Sequence, residues 1–268
     1  MITSRPTLFV PHGSPMFALE PGAAGSALAA VARRIERPRA IVVVSPHWET
    51  AVPTVGSATR LDTLHDFTGF DPRLYDIRYP ATGCPEAARQ VVDALQAAGL
   101  PAELDPERGL DHGAWVPLRL MYPDADVPIV PLSLQHAGGP RHAWRVGQAM
   151  ADLARRAGFI VVGSGNITHN LDDWRQARMG AARGITDTTP PYVRRFADWV
   201  HGRLSLRSDG DLFDYRAIEA SGRRAHPRDE HLLPLFTALG AAGPDARPVA
   251  FHRGVSEHVL AMDGYEFH

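Results

Sequence analysis

Thirteen histidines are spread through 268 residues, and three of them stand where a folded sheet delivers side chains. His12 follows the apolar run in LFVPHGSPM, His47 the run in AIVVVSPHWET, and His169 the run in VVGSGNITHN. Imidazole is the commonest metal ligand and suits zinc, copper, iron or nickel; near neutral pH it also gives and takes protons. A single strand-end histidine says little, but three at equivalent positions predict a shared site. Gly13, Ser14, Gly163, Ser164 and Gly165 flank them, and such small residues let the backbone approach a ligand closely.

The elements that must position these residues are readable as apolar runs. Segments 7–11, 40–46, 127–134 and 159–165 predict buried strands. Pro46 lacks an N–H and is expected to end the second of them. Segments 85–100, 140–158, 190–206 and 229–243 predict helices, the first opened by Pro85 and closed near Gly99. This alternation implies an α/β fold: a single-domain three-layer α/β/α sandwich around a mixed, largely parallel sheet, spanning residues 1–268. In such a sheet ligands gather beyond the carboxyl ends of the strands, so the three imidazoles are expected on one edge. Stretch 50–84 carries His65, Phe67, Phe70 and Tyr75 and reads as a loop folded over something.

Composition narrows the function classes. The chain is 44% hydrophobic and 22% charged, enough for a sizeable core. A formal charge of −2 and a pI near 6.7 argue against nucleic acid or an anionic membrane as partner. All 28 basic residues are arginine, which removes a Schiff-base lysine, a P-loop lysine and a lysine base. Cys84 is the only cysteine, so neither an internal disulfide nor a cysteine zinc cluster is available. Beside Pro85 it reads as an inert turn cysteine. Ser14 lacks a G-x-S-x-G elbow, which sets a serine hydrolase aside. No apolar run matches a signal-peptide core or a membrane span, so a soluble cytoplasmic protein is expected, with an oligomer possible.

Six motifs in order, LFVPHGSPM, AIVVVSPHWET, LHDFTGF, LDHGAWVPLRLMYPDADVPIVPLSL, VVGSGNITHNL and HPRDEHLLPLF, resemble the class III extradiol ring-cleaving dioxygenases. More narrowly, they are similar to the 4,5-DOPA dioxygenase extradiol branch, and the likeness runs from about residue 5 to about residue 240. The resemblance implies one divalent metal per chain, Fe(II) for activity, with Zn(II) able to fill the site. It implies a catechol substrate and O2 as the partners. It implies that His12, His47 and His231 are metal ligands. His169 is either a further, looser ligand or the acid–base residue beside the metal. His112 belongs to the second layer of the site and assists catalysis, and His65 lies in the loop that covers the substrate.

The chemistry explains why such a site needs these parts. The two oxygens of a catechol chelate one metal, so the protein must leave coordination positions open. Zinc has no redox chemistry and only occupies the site. A histidine near the metal suits removal of a catechol proton and its later return, with His169 first and His112 assisting. His226 competes with His231; five residues apart on a helix they point to different faces. His231, expected in the first turns of the helix, is the chosen ligand, and His226 is left to the substrate pocket. Glu230 is expected to point elsewhere, while Asp111 and Glu257 are carboxylate candidates that equally suit a cap or a solvated charge. Trp48, Trp115, Phe67 and Tyr75 can line a pocket or fill the core. His252 and His258 are unassigned, because FHRGVSEHVLAMDGYEF departs from the family's pattern; His136, His142, His201 and His268 read as exposed or helix-face residues. Two other functions fit a metal-binding α/β chain: a zinc hydrolase using bound hydroxide, and a non-catalytic metal or small-molecule binder.

Overall fold

A computed structural model describes residues 5–181 and 189–268. The chain runs β1 (Thr7–Pro11), α1 (Gly22–Arg34), β2 (Ala40–Glu49), β3 (Thr54–Gly56), α2 (Pro85–Ala97), β4 (Glu103–Asp105), α3 (His112–Met121) and β5 (Ile129–Leu134). There follow α4 (Gly139–Ala149), α5 (Ala151–Arg156), β6 (Phe159–Gly165), α6 (Leu171–Ala181) and α7 (Pro191–Ser205). Three short helices, α8 (Asp209–Phe213), α9 (Tyr215–Ile218) and α10 (Gly222–Ala225), lead to α11 (Leu233–Ala242). The chain closes with β7 (Pro248–His252), a small hairpin β8 (Val255–Ser256) and β9 (Leu260–Ala261), and β10 (Gly264–Phe267). Among the described residues no helix is long and apolar enough to cross a membrane.

One eight-stranded sheet has the order β4-β3-β5-β2-β6-β1-β10-β7. The four central strands β5, β2, β6 and β1 are parallel, and β10 and β7 join antiparallel at one side. The central strands are buried on both faces, which is why they read as continuous Val/Ile runs rather than alternating ones. The two faces are told apart along β6. A side chain at Gly163 would meet the Pro234 carbonyl of α11, whereas the Ser164 hydroxyl donates to the Gly113 carbonyl of α3. Helices α3 and α1 therefore cover one face, and α11, with α4 and α5 packed against it or β6, covers the other.

Helix α11 is buried from Leu233 to Ala241 and is apolar on every side, as a helix enclosed between a sheet and α4 must be. Its backbone touches α4 directly. A Cβ on Gly240 would lie 2.1 Å from the Trp144 carbonyl oxygen, and one on Gly147 2.1 Å from that of Thr237.

Three expectations are corrected here. β2 does not stop at Pro46 but runs to Glu49 through an irregularity: Val44 pairs with Leu132, and the next pairing is Glu49 with Leu134. Pro46 sits in that bulge, where its missing N–H costs no ladder bond. The helix expected over 229–243 begins at Leu233, because Pro234 is tolerated only in a first turn. The helix expected over 140–158 breaks at Met150, whose N–H bonds to the Gly147 carbonyl at 2.9 Å in a tighter turn.

Gly240→Ala should therefore lower stability by about 1–3 kcal/mol, since the added methyl forces α4 and α11 apart. Urea unfolding followed by circular dichroism measures this; an unchanged midpoint would contradict backbone-to-backbone packing.

Candidate metal centre

Each of the three strand-end or turn histidines is aimed by a partner on one ring nitrogen. His12, fully buried, follows β1, and its N–H bonds to the Gly165 carbonyl at 3.2 Å. Its Nδ1 lies 3.0 Å from the Ser164 hydroxyl oxygen. That hydroxyl already donates to Gly113, so it accepts from His12, which places the proton on Nδ1 and leaves Nε2 bare.

His231 lies in the turn before α11. Its Nδ1–H donates to the Glu230 carboxylate at 2.8 Å, again leaving Nε2. Its carbonyl accepts from the Asn166 N–H at 3.0 Å. The approach needs Gly165, where a Cβ would stand 2.2 Å from that carbonyl oxygen. Two of the flanking glycines thus admit a neighbouring backbone rather than a ligand.

His47 leaves β2 at the bulge, with Nδ1 3.7 Å from Asp66 Oδ2. The N-terminus of α3 is stitched to this strand end. Asp111 caps the helix through Ala114 N–H, accepts from the Ser45 hydroxyl at 2.6 Å and pairs with Arg108 at 2.6 Å. Asp111 is therefore a cap and a strut. Its neighbour His112 gives Nδ1 to both oxygens of Asp66 at 3.0 Å, and its backbone N–H to the same carboxylate at 2.9 Å. Burial pushes the Asp66 carboxyl up, but the His112 hydrogen bonds and charge outweigh it and bring it down to about 2.

The nitrogens of His12, His47 and His231 lie within 4.8 Å of one another. His12 Nε2 and His47 Nε2 are 3.4 Å apart. With Nδ1 of His47 protonated toward Asp66, both Nε2 lone pairs face each other in a buried place and would repel unless a cation lay between them. Nitrogens held at about 2.1 Å from one cation at a tetrahedral angle stand about 3.4 Å apart, so the pair fits a metal. The rings are also held neutral, as ligation requires. Burial and the neighbouring imidazoles lower His12 and His231 well below 6.5. Burial, then His112, lowers His47 to about 3 despite Asp66.

His169 stands outside this trio. Its ring stacks on His231, with centroids 3.4 Å apart and planes 8° from parallel. It falls into a second group with Glu230 and His231. Burial, then His47 and His112, lowers it to about 3.

A cavity of about 280 Å³ opens beside these rings. His47, His112, His169, His231 and Glu230 form its polar side. Phe67, Phe70, Leu171, Trp174 and Leu260 form its apolar side. Phe67 stacks edge-on to His112 at 5.6 Å, so loop 50–84 does fold over the imidazoles. Of the four aromatic candidates only Phe67 reaches the cavity; Trp115 is core, and its indole N–H bonds to the Leu64 carbonyl.

His65 and His226 are not among the lining residues. His65 turns Nε2 to the Ile77 carbonyl at 3.1 Å, within its own loop. His226, fully buried, gives Nε2–H to the Ile167 carbonyl at 2.8 Å and leaves Nδ1 without a partner. Its place is a core strut. Glu230, expected to point away, points in, because residues 230 and 231 precede the helix and do not follow its rotation. Burial raises its carboxyl. Glu257 accepts from Ser14 and, at 2.6 Å, from the Trp174 indole, and belongs to neither imidazole group. Asp66, Ser164 and Trp174 went unassigned in the sequence. Asp66 adjoins His65 in LHDF and Ser164 adjoins the glycines of VVGSGN, so the motifs held them without marking their partners.

A parallel sheet edge that gathers imidazoles able to hold a metal ion, beside an aromatic cavity, makes this an α/β fold with a candidate metal centre. Residues 6–265 match the family described as the catalytic LigB subunit of aromatic ring-opening dioxygenase, and the chain belongs to that family. It is 36% identical to the 4,5-DOPA dioxygenase extradiol of Beta vulgaris over 98% of this chain and 96% of that one. It is 38% identical to the 4,5-DOPA dioxygenase extradiol of Escherichia coli K12 over 89% of this chain and 86% of that one. A crystal structure of an uncharacterized protein from Escherichia coli K12 superposes with a TM-score of 0.80 at 32% identity, covering 98% of this chain and 99% of that one.

The neutral core histidines make the metal-free protein acid-sensitive, and His226 isolates the effect. Burial lowers it to about 3, outweighing its hydrogen bond to Ile167, against 6.5 when free. Between those values the unfolded chain binds the extra proton, so stability is full above pH 6.5 and falls as pH drops toward 3. His226→Gln keeps a donor for Ile167 and should flatten this acid slope by up to about 1.4 kcal/mol per pH unit. Urea titrations of chelator-treated protein at several pH values measure it; equal slopes for both proteins would contradict a neutral buried His226.

Proposed function

We propose that this chain is an iron(II)-dependent extradiol dioxygenase that opens the ring of a catechol with O2. The observation that carries the reading is the convergence of bare imidazole nitrogens on one point beside an aromatic-walled cavity. His12, His47 and His231 would hold the metal. Ferrous iron there would supply open positions for both catechol oxygens and for O2, and would pass electron density to O2 from the bound catecholate, which is the reductant.

The remaining residues handle the substrate and its protons. Phe67, Phe70 and Trp174 sandwich an aromatic ring and keep water away from it. His169 lines the cavity with its ring fixed against His231, in position to accept the second catechol proton. The same nitrogen returns that proton to a leaving oxygen as the ring opens. His112, with Nδ1 tied to Asp66, keeps its other nitrogen for the cavity and orients the bound oxygens. His169 lies outside the convergent trio, which supports the acid–base role over that of a fourth ligand.

Protein loaded with ferrous iron without air, given a simple catechol and then oxygen, should form a yellow ring-opened semialdehyde with one O2 consumed per catechol. Zinc-loaded protein should be inactive. Hydrolytic activity that persists with zinc in the absence of oxygen would contradict the reading. His12→Ala and His47→Ala should abolish metal retention. His169→Ala should keep the metal and lose roughly 10²- to 10⁴-fold in kcat. Equal metal loss in all three variants would make His169 a ligand instead.

A further inference from the structure

Glu257 belongs to no imidazole group and does not line the inner cavity, yet its backbone and its carboxylate are both unusual. It opens the turn between β8 and β9 with φ 47°, and His258 follows with φ 66°. Hairpin turns with successive left-handed residues favour asparagine and glycine. A glutamate and a histidine there carry backbone strain, which neighbouring contacts must offset. The Glu257 side chain makes such contacts. One carboxylate oxygen accepts from the Ser14 hydroxyl, two residues beyond His12. The other accepts from the Trp174 indole N–H at 2.6 Å.

Trp174 needs such a hold. Over residues 171–180 of α6 only Ala177 is buried, and Trp174 is half-buried. The start of the helix is pinned. Asn170 accepts from the Asp172 and Asp173 N–H groups at 3.1 Å and donates to the Arg224 carbonyl at 2.7 Å, while Asp173 pairs with Arg224 at 3.1 Å. Those bonds fix the backbone but leave the indole free to change rotamer. Its one polar atom is Nε1, so the bond to Glu257 decides how the ring lies. Held this way, it stands 6.4 Å from Phe70, with both rings lining the inner cavity.

We propose that Glu257 is a positioning residue, which ties the Trp174 indole to the loop that follows His12 and so fixes an aromatic wall relative to the metal centre. This rests on the reading that a catechol ring occupies the inner cavity. A carboxylate suits the task because it offers an acceptor to each of two donors. Glu257 acts through Trp174 and touches no substrate.

Calorimetry on iron-loaded protein without oxygen, with 4-methylcatechol as the probe, tests this. Glu257→Gly removes the carboxylate and suits the left-handed turn, so the variant should fold and retain iron while binding the catechol roughly three- to tenfold more weakly. Glu257→Gln, whose amide accepts from the indole and donates to Ser14, should bind within about twofold of wild type. In a Trp174→Phe background, which lacks the indole N–H, adding Glu257→Gly should change affinity by less than about twofold. Three results would overturn the proposal: wild-type affinity in Glu257→Gly, an equal loss with and without Trp174→Phe, or iron lost in step with affinity. Turnover of the same catechol by the wild type in oxygen separates this question from the previous one. If the ring is opened but Glu257→Gly binds as tightly as wild type, the tether fails and the dioxygenase reading stands. If the variants behave as expected but oxygen never opens the ring, the dioxygenase reading fails and the tether stands.

Discussion

The structure turns on one electrostatic demand: unprotonated imidazole nitrogens must face one another inside a buried pocket. Left alone, such lone pairs would repel or take up a proton. Here protonation is suppressed by burial and by the neighbouring rings. Orientation is set from behind, by Ser164 on His12, Asp66 near His47 and Glu230 on His231. Ser164 and Glu230, by holding Nδ1–H, leave Nε2 bare on His12 and His231.

The fold meets that demand by bringing distant segments to one sheet edge. β1 and β2 deliver His12 and His47, with the bulge at Pro46 turning His47 out of the ladder. His231 arrives on a main-chain hydrogen bond to Asn166, at a distance that only a glycine at 165 permits. The capped start of α3 brings His112 and, through Asp66, the loop that walls the cavity. Rigidity at the back of the site and aromatic walls at the front suit a reaction in which a planar ring must be held while protons move. Family membership and the geometry meet at that point: the family's description names aromatic ring opening, and the cavity has aromatic walls.

Much of this was legible in the sequence, for identifiable reasons. The parallel strands announce themselves because burial on both faces demands unbroken Val/Ile runs, and His12 and His47 stand at their ends. Strands β7 and β10 went unseen because their residues are mixed and their pairing is antiparallel at the sheet's side. Helices α1 and α3 were missed too, α3 because Pro117 and Gly113 disguise it. Glu230 was misjudged by assuming helical rotation at a position that precedes the helix. His226, expected in the substrate pocket once His231 is taken as the ligand, instead holds the Ile167 carbonyl, a contact that only the tertiary fold creates. Asp66 could not be told from its neighbour His65, because only the tertiary approach of loop 50–84 to α3 gives it a partner.

The most direct test of the account is anomalous diffraction from crystals reconstituted with ferrous iron in the absence of air, with data collected on both sides of the iron absorption edge. The account predicts a single strong peak at about 2.0–2.2 Å from the Nε2 atoms of His12, His47 and His231, with His169 beyond bonding distance. A peak bound elsewhere, or none in crystals whose iron content is stoichiometric, would contradict it.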